Sequence, residues 1–121
     1  MVVDNGPGTR ADRALHALAD ATRRDIVTHV LQGEHSVSSL ARRYPMSFAA
    51  VQKHVAILER ADLVRKRRHG RQQLVSGNIA AVRDATALLS QLEEVWRVRI
   101  DRMGKILAEP DQPEPNQGEP T

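Results

Sequence analysis

Between Ser36 and Val75 the apolar residues switch from helical spacing to strand alternation, and this switch constrains the chain more than any other feature. Ser36 can cap a short helix carrying Val37, Leu40 and Ala41. Pro45 forces Tyr44 out of the helical region, so that helix stops near Arg43. Ser47 can then cap a second helix, on which Val51, Val55 and Leu58 cluster within about 60° of arc at 100° per residue. The opposite face presents Ala49, Gln52, Lys53, Ala56 and Arg60, which are small, polar or basic. Two helices joined by the turn Tyr44-Pro45-Met46-Ser47 fit a helix-turn-helix. Beyond Asp62, Leu63 to Arg68 and Arg71 to Val75 read as two strands around a tight His69-Gly70 turn. Ile57 falls on the outer side of its helix and is expected to pack against this hairpin.

The flanking segments read as helices. Asn5-Gly6-Pro7-Gly8 breaks regular structure, so residues 1–8 are expected to form a flexible leader. Thr9 with Asp12 resembles a capping box, opening a helix with Ala11, Ala14, Leu15 and Leu18 on its apolar side. Asp20 caps the next helix, whose stripe is Ile26, Val27, Val30 and Leu31, and Gly33 ends it. Asn78 opens a long last helix with Ile79, Val82, Leu89, Leu92, Trp96, Ile100, Met103 and Leu107 at steps of three and four, Thr86 filling the gap. At 1.5 Å per residue, Ile79 to Leu107 would span roughly 43 Å. A small domain cannot cover that length, so part of the stripe is expected to meet another chain. The expected fold is mainly α, a winged helix-turn-helix in the order α-α-α-α-β-β-α with a long C-terminal dimerisation helix. It occupies residues 9–108, and residues 109–121, with four prolines and four acids, form an acidic disordered tail.

Charge points to the partner. The formal net charge of +3 hides a basic segment, Arg42 to Arg71, with nine bases against two acids. Such a stripe is the electrostatic footprint of a nucleic-acid binder, although a merely solvated basic surface has the same composition. There is no cysteine, which excludes disulfides, thiolate metal sites and a cysteine nucleophile. No GxSxG or phosphate-loop motif is present, so the reading is of a protein that is not an enzyme. No apolar run approaches a membrane span and no secretory leader is evident, so the expected compartment is cytoplasmic.

Taken together, Leu18 to Val27, Ser36 to Ala41 and above all Pro45 to Val64 resemble the ArsR/SmtB family of bacterial winged-helix regulators. The likeness is close from Leu18 to Val75 and looser to Leu107. It implies a homodimer built on the first and last helices, here Leu15, Leu18, Leu89, Leu92, Trp96, Ile100, Met103 and Leu107. It implies a recognition helix in the major groove, a wing on the backbone or minor groove, and repression of the protein's own operon through an inverted repeat. His54 matches a position that the family uses near phosphates. The family's metal sensors carry cysteines in the third helix or histidines in the last. Here the third helix reads Val37-Ser38-Ser39-Leu40-Ala41 and all five histidines lie upstream of the last helix. The resemblance is therefore to a subgroup lacking the usual metal sites, with no cofactor and an unknown effector.

Residue chemistry assigns the contacts. Ser47 at a helix N-terminus can bond a phosphate or simply cap the helix. Gln52 suits adenine and Lys53 suits guanine acceptors, while Ala49 and Phe48 can touch a thymine methyl. Arg67, Arg68, His69 and Arg71 at the hairpin tip would contact phosphates or enter a narrow minor groove. Two alternatives stand beside this reading: a metal-responsive regulator using His16, His29 or His35 with carboxylates, and a winged helix that binds an acidic protein.

Overall fold

The structure, a computed structural model, describes residues 9–108, so the expected leader and acidic tail lie outside the described residues. In chain order it comprises α1 (Arg10–Ala17), α2 (Ala21–Gln32), β1 (His35–Ser36), α3 (Val37–Ala41), α4 (Phe48–Arg60), β2 (Val64–His69), β3 (Gln72–Gly77) and α5 (Ile79–Ala108). The chain divides after Leu88 into two units.

In the first unit, four helices begin on a side chain that accepts a backbone N–H three residues on. Thr9 accepts from Asp12, Asp20 from Arg23, Ser36 from Ser39 and Ser47 from Ala50, at 3.0–3.2 Å. Each cap satisfies one of the orphan donors of a first turn and contributes about 1 kcal/mol. The last carbonyls of the α1 turn are met from α2: Arg23 Nε donates to Ala17 O at 2.7 Å and Arg24 Nη1 to Leu18 O at 2.8 Å. Ile26, Leu40, Val51, Leu58, Leu63 and Val75 are fully buried, so α2, α3, α4 and the sheet share one core. Burying each such side chain contributes about 1.5–3 kcal/mol.

Helix α4 ends in a Schellman motif. Asp62 N–H donates to Glu59 O and Leu63 N–H to Leu58 O, both at 3.0 Å. Asp62 takes the required left-handed conformation at φ 61°. Buried Asn78 closes the junction, its side-chain amide donating to Asp62 O at 2.7 Å and its backbone N–H to Leu63 O at 2.9 Å.

Three expectations need correction. The sheet has three strands, not two, because His35–Ser36 pairs antiparallel with β3 in the order β1-β3-β2. A two-residue strand carries no alternation and exists only because β3 offers it a partner edge. The hairpin turn is Gly70-Arg71, not His69-Gly70, since His69 pairs with Gln72. Gly70, at φ 63°, supplies the positive φ at the first central position that a type II′ turn requires. On α5 the buried residues are Ala81 and Ala85, with Val82 packed beside them, whereas Ile79 is 45% exposed and Thr86 is exposed. Alanine lets the helix lie close to the core, so the inward face follows the smallest side chains. Ile57 shares a groove with α1 residues such as Leu15 and His16.

In the second unit, every residue of α5 from Leu89 to Ala108 is exposed, including Leu92, Trp96, Ile100 and Met103. Its polar side is organised by Arg97, which bonds Glu94 at 2.7 Å and Glu93 at 3.2 Å, one turn apart.

Candidate nucleic-acid interface

The α4 surface is built by its buried side. With Val51, Val55 and Leu58 inside, the helix period leaves Ala49, Gln52 and Lys53 exposed and Ala56 half-buried on the outward face. No acid interrupts those four positions. Phe48, at the start of the helix, is 48% exposed, so it is available to a partner and not part of the core. Ser47 Oγ accepts from Ala50 N–H at 3.1 Å, which orients the hydroxyl beside the unbonded N–H groups of the first turn.

His54 points elsewhere. It is mostly buried, its Nδ1 lies 3.2 Å from Arg23 Nη1 and 4.0 Å from Asp20 Oδ2, and it joins α4 to the start of α2. The structure therefore separates His54 from the exposed Gln52 and Lys53. Asp20 holds its carboxyl below the ordinary range, chiefly because it accepts the Arg23 N–H, with the nearby Arg23 and His54 charges adding to this.

Two consecutive residues tether the wing. Lys66 Nζ lies 3.2 Å from Glu59 Oε1, tying β2 to α4. Arg67 bonds Glu34, in the turn between α2 and β1, through two 2.9 Å hydrogen bonds. Consecutive strand residues face opposite sides of a sheet, so one tether holds each side. Arg67 is thus engaged within the protein, while Arg68, His69 and Arg71 are exposed around the tip. Glu34 and Arg23 were missed from sequence, since neither the pairing of Glu34 with Arg67 nor the reach of Arg23 to His54 has a local signal.

The helix-turn-helix is held from below as well. Tyr44 Oη, in the turn before α4, donates to Asp25 Oδ2 of α2 at 2.7 Å. Burial and this acceptor push the Tyr44 phenol well above its ordinary value, so it remains a donor at all physiological pH. His29 Nε2 approaches the same carboxylate at 3.3 Å and its ring meets His35 edge-on at 6.1 Å. Among the described residues no three His, Asp or Glu side chains gather as a metal-ligating group. Of the residues read as a dimer face, Leu15 and Leu18 are half-buried against the core, whereas Leu89, Leu92, Trp96, Ile100, Met103 and Leu107 are all exposed, Leu107 at 77%. Arg99 sits 6.0 Å from the Trp96 ring centroid.

A helix-turn-helix with an outward polar face, followed by a tethered basic hairpin, is the arrangement of a winged-helix DNA-binding regulator. The model of a helix-turn-helix domain matches residues 18–67. The HTH-type transcriptional regulator Rv2034 of Mycobacterium tuberculosis is 44% identical over 85 residues, covering 70% of this chain and 77% of that protein. An ArsR-like transcriptional regulator from Rhodococcus sp. RHA1 superposes with a TM-score of 0.68 at 30% identity, covering 83% of this chain and 93% of that one. The homodimeric winged helix-turn-helix DNA-binding domain of Mb0332 from Mycobacterium bovis shares the fold, with a TM-score of 0.57 at 24% identity over 70% of this chain and 80% of that one. The chain belongs to the ArsR/SmtB family of winged-helix transcriptional regulators.

Proposed function

We propose that the protein works as a homodimeric repressor that binds an inverted-repeat operator, including one upstream of its own gene. The observation that carries the reading is the outward face of α4. Ala49, Gln52 and Lys53 stand exposed there, beside a wing whose tip carries Arg68, His69 and Arg71. Residues 47–61 would enter the major groove, with Gln52 and Lys53 reading base edges and Ala49 and Phe48 meeting thymine methyls. Ser47 and the wing over 64–75 would hold phosphates, and His54 would steady the helix without touching DNA. Arg67, already paired with Glu34, would contribute less than Arg68. Acting on a chromosome places the protein in the cytoplasm.

The dimer is supported by the apolar stripe from Leu89 to Leu107, exposed in a single chain, and by the homodimeric state named for the Mycobacterium bovis domain. Exposed apolar residues at helical spacing over that length are what a second copy would bury. Leu15 and Leu18 of α1 would belong to the same proposed interface.

Footprinting of the region upstream of the gene tests the reading. The expected result is saturable protection of two half-sites about one helical turn apart. Length-dependent binding with no protected sequence would overturn it, as would a basic wing that binds acidic protein and leaves DNA untouched. A reporter that rises when the gene is deleted supports repression, and one that falls makes the protein an activator.

A further inference from the structure

Arg23, in the first turn of α2, ties three helices together. Its backbone N–H donates to Asp20 Oδ2 at 3.0 Å, its Nε donates to Ala17 O at the end of α1 at 2.7 Å, and its Nη1 lies 3.2 Å from His54 Nδ1 on α4. A guanidinium carries N–H donors and no acceptor, so the last contact is a hydrogen bond only when Nδ1 holds a lone pair. His54 is therefore bound as the neutral ring with its proton on Nε2, and its side chain is 20% exposed. Asp20 Oδ2 stands 4.0 Å from the same nitrogen.

A proton on Nδ1 would set one donor against another and bring two positive charges within 3.2 Å. The Asp20 carboxylate is the acceptor within reach, so the ring would turn from Arg23 to Asp20. Among the described residues these two, both from the start of α2, are the polar partners of the ring. The other elements packed on α4 bring fewer charges to it. Helix α3 has no titratable side chain over Val37–Ala41, and Lys66 of β2 is paired with Glu59. Asp12, Arg13 and His16 of α1 line the groove with Arg23 and Arg60, and Lys53 precedes His54 on α4 itself.

We propose that Arg23 positions the recognition helix through the neutral ring of His54, and that a proton on His54 passes the ring to Asp20 and weakens operator reading. Gln52 and Lys53 immediately precede His54, so a shift of the ring against α2 carries their side chains with it. Imidazoles take up a proton between about pH 5 and pH 8, which makes the exchange a response to acidification. The effect on DNA rests on the proposed function; the exchange of partners does not.

The first test reads DNA. The ratio of affinities for the footprinted operator and a scrambled duplex is measured by fluorescence anisotropy at both ends of that pH range; the ratio cancels the gain in charge on His69 of the wing. In the parent it should fall by about fivefold or more on acidification, the worth of one hydrogen bond. His54→Asn, whose amide oxygen stands near the Nδ1 position and takes no proton, should show no such fall, and His54→Gln serves if that variant does not fold. Arg23→Met, or Arg23→Gln if it does not fold, should have a lowered ratio already at the alkaline end. A parent ratio that does not fall, an equal fall in the His54 variant, or a full ratio in the Arg23 variant would each overturn the proposal.

The second test needs no DNA. Urea unfolding of the full-length parent, Arg23→Met, His54→Gln and the double variant gives the coupling between the two side chains. It should favour the fold at about pH 8 and be lost or reversed at about pH 5. Additivity at both pH values, or a coupling that acid leaves unchanged, overturns the exchange whether or not an operator exists.

Discussion

Arg67 of β2 and Glu34 of the α2–β1 turn meet as a two-pronged pair, Nε to Oε2 and Nη2 to Oε1, each at 2.9 Å. The Arg67 hydrogen bond, ahead of its charge, holds the Glu34 carboxyl below its ordinary range. The pair is exposed enough that its effect on stability is small. Its larger effect is on the field around the wing, where one carboxylate offsets one guanidinium.

Replacing Glu34 with Gln frees Arg67 and should tighten binding to any DNA. If each protomer gains one phosphate contact, the slope of log affinity against log salt should steepen by about 1.8 per dimer. Arg68→Gln should flatten it by a similar amount, and Arg67→Gln should change it less. Fluorescence anisotropy across a salt series separates the three.

Gln52→Ala and Lys53→Ala remove side chains that are exposed and outside the core. Each should cost about 1–3 kcal/mol in discrimination between operator and mutated operator. The unfolding free energy should change by less than about 0.5 kcal/mol in either variant. Competition between operator and a single-base variant measures the first quantity and calorimetry the second.

Asn78→Ala should destabilise the fold by about 1–3 kcal/mol, since it leaves the Asp62 carbonyl without its 2.7 Å donor at a buried junction. Asp62→Gly should be close to neutral, because easing a left-handed residue is offset by the freer unfolded chain. Urea unfolding of the two variants gives both values.

A Cβ on Gly77 would stand 2.6 Å from Leu31 Cδ2 and 3.0 Å from Leu31 Cα. Gly77→Ala should therefore cost about 1–3 kcal/mol through overpacking. Leu31→Ala in the same chain removes the nearer atoms, so the double variant should lose less than the two single losses added together. A denaturation cycle over the four proteins provides the check.

Asp20 titrates below its ordinary value because its carboxylate accepts the Arg23 N–H. A depressed carboxyl contributes stability that is complete above its unfolded value, near 3.8, and is lost as pH falls through the folded one. Asp20→Ser keeps a cap but not a titrating group, so its unfolding free energy should fall less between pH 5 and pH 2 than that of the parent. Parallel acid titrations followed by circular dichroism decide this.

Much of this molecule was legible before the structure because its helices are set by short-range chemistry. Thr9, Asp20, Ser36 and Ser47 each cap the helix they were expected to cap, and Val51, Val55 and Leu58 form the buried side of α4. What escaped was set by distant partners. His35 and Ser36 become a strand only against Leu74 and Val75. The turn moved by one residue because pairing with β3 fixes the register. The inward face of α5 was misread because large apolar residues were given more weight than Ala81 and Ala85, whose small size lets the helix approach the core. His54 was read only through the family likeness, as a residue near phosphates, and its place beside Arg23 and Asp20 has no local signal in the sequence.

The tethers at Lys66 and Arg67 also limit how the wing can evolve. Sliding β2 by one residue would present each side chain to the wrong side of the sheet and break both pairs together. Single-residue insertions or deletions in the strand should therefore be rare among descendants of this sequence. Changes in length would accumulate at Gly70 and Arg71, so the wing would vary in its reach while keeping its angle of approach.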